Sequence, residues 1–130
     1  MHTDTSAAEA ILREYGEAFA RGDIDTVVSL LHVPCVYIRP AGVSVFPDAA
    51  LARAALSVGM EQMRAEGYHH SEFLGLASRV LSSDLVAFSG TIVRIGTDGR
   101  EQNRVGFTYT LRLRENRWRL VCAIIHDPPA

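Results

Sequence analysis

The sequence predicts an α+β fold in which helices pack on one face of a mostly antiparallel sheet. Before residue 67, apolar residues recur at helical spacing in three separate segments. From Tyr68 onward the spacing changes to the two-residue alternation of strands, and short polar turns separate the alternating runs. Consecutive strands joined by short turns form an antiparallel meander, so the helices and the sheet are expected in two layers.

The composition is that of one globular domain, which we expect to span residues 1–130. The chain is 48% apolar and 22% charged, and its net charge of −2 gives no overall attraction for nucleic acid. No apolar run approaches the ~18–20 residues of a membrane span. The first residues, MHTDTSAAEA, lack the basic start and apolar stretch of a signal peptide, so we expect a cytoplasmic protein with no membrane partner.

Two residue types add to this expectation. All thirteen basic residues are Arg, which fits a GC-rich bacterial genome. The two cysteines, Cys35 and Cys122, lie inside apolar, strand-like runs. This placement favours buried free thiols in a reducing cytoplasm over a disulfide.

Capping residues define the first two helices. Ser6 followed by Glu9 predicts a capping box that opens the first helix. Gly22 supplies the end of that helix, and Asp23 can cap a second, shorter one. Pro34 prevents the second helix from continuing.

The remaining elements follow in the order strand, strand, helix and meander. A strand over 33–39 turns at residues 40–42 into a short return strand over 43–46. Asp48 caps a third helix, which Gly67 ends. Four further strands are predicted at about 68–81, 85–96, 101–114 and 117–126.

Two segments resemble the nuclear transport factor 2-like superfamily, which includes ketosteroid isomerase and the SnoaL-like polyketide cyclases. The segment YGEAFARGDIDTVVSLL (15–31) is similar to its first two helices, and WRLVCAII (118–125) is similar to its last strand. The resemblance extends over nearly the whole chain. It implies three helices packed in the concavity of a curved, mostly antiparallel sheet, a cone-like barrel. It also implies an apolar pocket for a small hydrophobic molecule.

Strand alternation then suggests which side chains face this pocket. The predicted inward sets are Cys35, Tyr37 and Arg39 on the first strand, His70, Glu72, Leu74 and Leu76 on the third, Phe107, Tyr109, Leu111 and Leu113 on the fifth, and Trp118, Leu120, Cys122, Ile124 and His126 on the last. The opposite set on the last strand is Val121, Ala123 and Ile125. Apolar residues on an outer face predict a homodimer formed through that face.

The resemblance to ketosteroid isomerase does not extend to its general base. That enzyme uses an Asp base and an oxyanion hole made of a Tyr and a protonated Asp. An ungapped match places the Tyr at Tyr15 and the base at Arg39, and the late strands place the second donor near Tyr109. Arg cannot accept a proton near neutral pH, so a standard ketosteroid isomerase is disfavoured.

Other acid/base candidates lie on the third and last strands. Glu72-Phe-Leu-Gly resembles the His-Phe-Leu-Gly of dehydratases with this fold, with Glu72 replacing the His, and His70 could serve from one pleat away. His126, next to Asp127, is either a base at the pocket mouth or a residue of the rim. A metal site would need His70, Glu72 and His126 to converge, and we predict none.

Two hypotheses follow from these residues. In the first, a cofactor-free isomerase, dehydratase or cyclase acts on a hydrophobic carbonyl compound. Tyr15 and Tyr109 polarise an oxygen, His70, Glu72 or His126 moves a proton, and Arg39 holds an anionic group. Further candidates for substrate contact are Tyr37, Trp118 and Met60. In the second, the domain binds a ligand or associates as a dimer without chemistry.

Overall fold

The computed structural model describes residues 4–128, which form three helices and six strands. The helices are α1 (Ser6–Ala20), α2 (Ile24–Ser29) and α3 (Ala49–Ala65). The strands are β1 (Leu31–Arg39), β2 (Gly42–Phe46), β3 (Tyr68–Ser82), β4 (Leu85–Gly96), β5 (Glu101–Arg114) and β6 (Arg117–His126). The predicted α+β fold is confirmed, with the helices packed against one face of a curved sheet.

The six strands form one sheet in the order β2-β1-β6-β5-β4-β3. Every neighbouring pair is antiparallel except β1 and β6, which run parallel. The sheet curves around the helices but stays open, with β2 and β3 as its edges. None of the helices within residues 4–128 is long and apolar enough to cross a membrane.

Two of the three predicted helix caps are present. The Asp48 side chain accepts a hydrogen bond from the Leu51 amide (2.9 Å), and the Asp23 side chain accepts one from Thr26 (3.2 Å). The predicted capping box at the start of α1 is wrong. Ser6 is the first helical residue, and its amide donates to the carboxylate of Asp4 (2.9 Å). An acidic side chain preceding the helix therefore takes the place predicted for Ser6.

A bulge at the start of β3 reverses the predicted faces of this strand. The pairing with β4 shifts between Tyr68 and His70, which inserts one extra residue. Tyr68 and Ser71 consequently lie on the same, inner side, where their hydroxyls are 2.7 Å apart. The prediction that His70, Glu72 and Leu74 face inward is wrong, because an added residue inverts the positions that follow it in a two-residue alternation. The prediction for Leu76 is confirmed, since this residue packs against the core next to a further shift in pairing between Leu74 and Ala77.

A second bulge has the same effect in β6. The pairing with β5 shifts between Thr110 and Leu111, so that Leu120 and Ala123 are both buried, at 2% and 1% exposure. Cys122 and Ile124, predicted to face inward, therefore lie on the convex side of the sheet. Ala123 and Ile125, predicted to face outward, pack against the core instead.

The interior is filled at one end of the sheet and hollow at the other. Val86, Leu111, Leu120 and Leu31 lie side by side on four adjacent strands, and each is at most 4% exposed. Toward the opposite end, where β1, β4 and β6 terminate, the side chains surround an open cavity. The fold thus separates a packed core from a candidate site.

Two glycine substitutions test another irregularity of the sheet, where β3 shifts its pairing between Leu74 and Ala77. A Cβ on Gly90 would lie 2.8 Å from the Leu74 carbonyl oxygen and 3.1 Å from that of Gly75, so backbone must move. We expect Gly90→Ala to lower the free energy of unfolding by about 1–3 kcal/mol in urea titrations.

Gly59→Ala is the matched control, because nothing lies within 4 Å of a Cβ added at this position in α3. Alanine is a better helix former than glycine, so this variant should gain roughly 0.5–1 kcal/mol. Equal effects of the two substitutions would contradict the described bulge.

Candidate functional site

A cavity of about 510 Å³ lies between α1, α3 and the concave face of the sheet. This volume is typical of pockets that enclose a small organic molecule. Much of its wall is apolar, formed by Phe19, Leu56, Phe73, Ile92, Val105 and Ile125. The polar groups that interrupt this wall therefore determine what the cavity can recognise.

A pair of hydrogen-bonded phenols forms one polar group in the wall. The hydroxyls of Tyr15, from α1, and Tyr37, from β1, are 2.6 Å apart, and the two residues are 6% and 4% exposed. Either oxygen can be the donor, but their mutual bond uses only one of the two O–H protons. The other proton has no acceptor among residues 4–128 and is available to a ligand oxygen.

A third phenol lies beside this pair. The Tyr109 ring stands edge-on to the Tyr15 ring, with centroids 6.0 Å apart. Its hydroxyl has no hydrogen-bond partner in the described part of the chain, although the residue is only 7% exposed. No side-chain nitrogen or oxygen of residues 4–128 is both completely buried and unpartnered, so this hydroxyl must open onto the cavity.

The three phenols are hydrogen-bond donors across the physiological pH range. Burial raises the pKa of Tyr15 and Tyr37 well above the usual range of tyrosine, because it disfavours the phenolate. Burial also raises the pKa of Tyr109, to about 12, against the opposing effect of the Arg94 and Arg39 cations. The cavity therefore presents protonated hydroxyls and no buried carboxylate, since no charged side chain of residues 4–128 is buried.

Charged residues border the cavity at its mouth. Arg39, at the end of β1, holds its guanidinium carbon 5.6 Å from the centroid of the Tyr37 ring. Arg94, near the end of β4, lies opposite Ser71 in the sheet. Glu66 and Asp127 are also part of the rim, and both residues are exposed.

His126 belongs to the rim, but its ring packs toward the convex side. Its Nδ1 is 2.7 Å from the carbonyl oxygen of Asp127, and because a carbonyl can only accept, Nδ1 is the donor. Gly106 lies between the inward-facing Val105 and Phe107, so its own face is the convex one. A Cβ added to Gly106 would lie 2.6 Å from the Nδ1 of His126. The imidazole therefore occupies the space left by the missing Gly106 side chain.

The structure brings together five of the nine predicted site residues. Around the cavity lie Tyr15, Tyr37, Arg39, Tyr109 and His126. His70 and Glu72 instead border a smaller depression between α1 and β3, where Nε2 of His70 lies 3.6 Å from a carboxylate oxygen of Glu72 and both side chains are exposed. Met60 is buried in the core, and Trp118 packs against the core outside the cavity wall.

Sequence reasoning missed five polar residues that line the cavity, namely Gln62, Glu66, Tyr68, Ser71 and Arg94. Arg94 had a detectable signal, because it follows Ile92 at the spacing of one strand face. Within residues 4–128, no three His, Cys, Asp or Glu side chains converge closely enough to hold a metal ion.

The raised pKa values of the phenols predict a loss of stability at alkaline pH. Unfolded Tyr109 ionises near pH 10, whereas the folded residue ionises near pH 12. The folded state holds the proton more tightly, so the stabilising contribution is complete below pH 10 and is lost between pH 10 and 12. For Tyr109 alone it amounts to roughly 2–3 kcal/mol. Urea unfolding between pH 8 and 11.5 should show a steep decline that is shallower in Tyr109→Phe.

The same tyrosines give a spectroscopic check. All four tyrosines of the chain have raised pKa values, so tyrosinate absorbance at 295 nm should not develop near pH 10 in the folded protein. A full ionisation step near pH 10, with an unchanged far-UV circular dichroism spectrum, would contradict the burial of the phenols.

Solved structures show the same fold. A protein of unknown function with a cystatin-like fold from Nostoc punctiforme superposes with a TM-score of 0.79 at 10% identity, covering 100% of this chain and 97% of that one. An NTF2-like protein of unknown function from Shewanella oneidensis gives 0.76 at 17% identity, covering 95% and 98%. A Xanthomonas campestris protein described as a calcium/calmodulin-dependent protein kinase II association domain gives 0.74 at 14%, covering 98% and 90%.

These identities are low, so the structural matches establish the fold and not a shared activity. No curated protein matches the sequence significantly. At the family level, the description "NTF2-like protein (DUF6841)" matches residues 4–128. The resemblance seen in the sequence is thereby confirmed, and the chain belongs to the NTF2-like family DUF6841.

Proposed function

We propose that the protein binds a small, largely apolar molecule whose polar end carries an oxygen acceptor. The observation that supports this most directly is the Tyr109 hydroxyl, which is nearly buried, faces the cavity and has no partner in residues 4–128. The Tyr15–Tyr37 pair offers a further proton in the same wall. A ligand oxygen would satisfy both donors, and the apolar wall would cover the rest of the molecule.

Binding without chemistry accounts for the polar groups better than acid/base catalysis does. A general base must come within hydrogen-bond reach, about 2.6–3.2 Å, of the proton that it removes. His70 and Glu72 lie outside the main cavity, in the depression between α1 and β3. The phenols inside can orient and polarise an oxygen, but they stay protonated and cannot take up a proton.

Proton transfer by His126 is the second candidate. The residue belongs to the cavity rim, but the bond from Nδ1 to the Asp127 carbonyl holds its ring on the convex side of the sheet, so this candidate requires the side chain to turn inward. This candidate predicts that a bound carbonyl compound takes up deuterium from D2O at the carbon next to its carbonyl group. Loss of this uptake in His126→Gln would favour proton transfer over binding alone.

A pair of naphthalene probes tests the binding proposal. 2-Acetylnaphthalene and 2-ethylnaphthalene have nearly the same shape and differ in one carbonyl oxygen. We expect isothermal titration calorimetry to show the ketone binding about 3- to 10-fold more tightly to the wild type, as one net hydrogen bond allows. Tyr109→Phe should remove this difference.

Thr91→Val is the matched control, because it also deletes a hydroxyl but lies outside the cavity wall. It should preserve the preference for the ketone. Equal affinity of the wild type for both probes, or no binding of either, would refute the proposed role of the phenols.

We also propose that two copies associate through the convex face of the sheet. The strand register aligns two rows of uncharged side chains across five strands, Val45, Val36, Cys122, Thr110 and Ala87 in one row, and Val43, Ile38, Ile124, Thr108 and Ser89 in the other. Val43 and Val45 are 65% and 62% exposed, which is unusual for apolar residues without a partner. These rows replace the outer set predicted from alternation, Val121, Ala123 and Ile125.

Ile124→Asp tests this interface, since it places a charge in the middle of one row. We expect the wild type to be a dimer in light scattering coupled to size exclusion, and this variant to be a monomer. Val58→Asp is the control, because Val58 is 65% exposed on α3, away from the rows. A monomeric wild type, or equal dissociation of both variants, would overturn the proposed interface.

We place the protein in the cytoplasm, as the cysteines suggest. Cys35 and Cys122 are both free. Cys35 is 1% exposed, and burial raises the pKa of its thiol to about 11, which keeps it protonated and unreactive. Two free thiols in apolar surroundings fit a reducing compartment.

A further inference from the structure

Two arginines flank the hydroxyl groups of the cavity without an acidic partner. Arg39 comes from the end of β1 and Arg94 from the end of β4, on opposite sides of Tyr109 in the strand order. Neither guanidinium has a carboxylate within ion-pair distance in residues 4–128. Glu66 and Asp127 share the rim, yet neither forms an ion pair with them.

Both cations act on the same hydroxyl. Arg39 and Arg94 line the same cavity as Tyr109, and the positive charge of each lowers the pKa of Tyr109 against the effect of burial. The guanidinium carbon of Arg39 lies over the Tyr37 ring, 5.6 Å from the ring centroid, in a cation–π contact. The unpartnered Tyr109 donor and the two unpaired guanidinium groups therefore line the same cavity.

We propose that the ligand is an apolar carboxylic acid, bound as its anion between Arg39 and Arg94 with one oxygen on the Tyr109 hydroxyl. This inference rests on the proposed function and names the chemical class of its ligand. The apolar body of the molecule occupies the space between Phe19, Phe73 and Ile92.

A carboxylate fits this mouth better than a phosphate does. The planar guanidinium matches the two oxygens of a carboxylate and donates charge-assisted hydrogen bonds to them. The rim also includes the acidic residues Glu66 and Asp127, which oppose a second negative charge on the ligand. A planar monoanion therefore meets less repulsion from these two acidic residues than a dianion does.

The test compares 2-naphthoate with 2-naphthamide, which has a similar shape and no charge. Isothermal titration calorimetry at pH 7.5 should show naphthoate binding at least about tenfold more tightly to the wild type, as a charge-assisted hydrogen bond allows. Arg39→Gln and Arg94→Gln should each weaken naphthoate binding about tenfold and leave naphthamide binding within about twofold. The two variants also provide independent tests should one of them fold poorly.

Arg79→Gln is the control, because Arg79 is an exposed residue of β3 outside the cavity wall. It should bind both probes like the wild type. If the wild type binds acid and amide equally, the carboxylate inference is overturned and the proposed small-molecule pocket stands. If Arg79→Gln loses affinity like the other two, general charge attraction replaces the proposed contacts. If neither probe binds, the proposed function fails with the inference.

Discussion

The parallel pairing of β1 with β6 is the contact on which the cavity depends. β1 precedes β6 by about eighty residues, yet it inserts between β6 and β2 in the sheet. This pairing aligns Tyr37 with Ala123 and thereby brings the Tyr37 hydroxyl against Tyr15 and into the same wall as Tyr109. Because β2 reaches the sheet only through β1, the β1–β2 turn at the mouth depends on the same contact.

The distribution of polar groups follows from this arrangement. Hydroxyl groups occupy the interior. Their burial costs little free energy when they are hydrogen-bonded or open onto the cavity. Full charges stay at the mouth, where water still reaches them. The cavity thus combines a donor-rich interior with an entrance that carries charges of both signs.

The sequence predicted the fold well because the helical and strand spacings are long and regular. It also placed Tyr15, Tyr37, Arg39 and Tyr109 around one cavity. In each case the regular spacing of the helix or strand continues without a bulge from the residue to the apolar residues on the same face. His70 and Glu72 were misplaced for the opposite reason. A bulge depends on the pairing of two strands, and nothing in the alternation of a single strand reveals an extra residue.

The same argument explains the exchange of faces in β6. Val121, Ala123 and Ile125 are as apolar as Cys122 and Ile124, so composition gives no indication of which set faces inward. Only the pairing with β5, which skips one residue after Leu120, decides it. Two of the cavity residues that sequence reasoning missed likewise follow from register, since Ser71 and Arg94 face each other across β3 and β4.

The bulge at the start of β3 has an evolutionary consequence. A substitution that removes this bulge at unchanged chain length would continue the alternation of Tyr68, and the side chains of His70 and Glu72 would then face the cavity. Such a change of register, with His70 and Glu72 themselves unchanged, would supply a proton acceptor to a wall that already holds donors. In this architecture, the register of one strand, rather than the identity of its residues, decides whether these two groups reach the cavity.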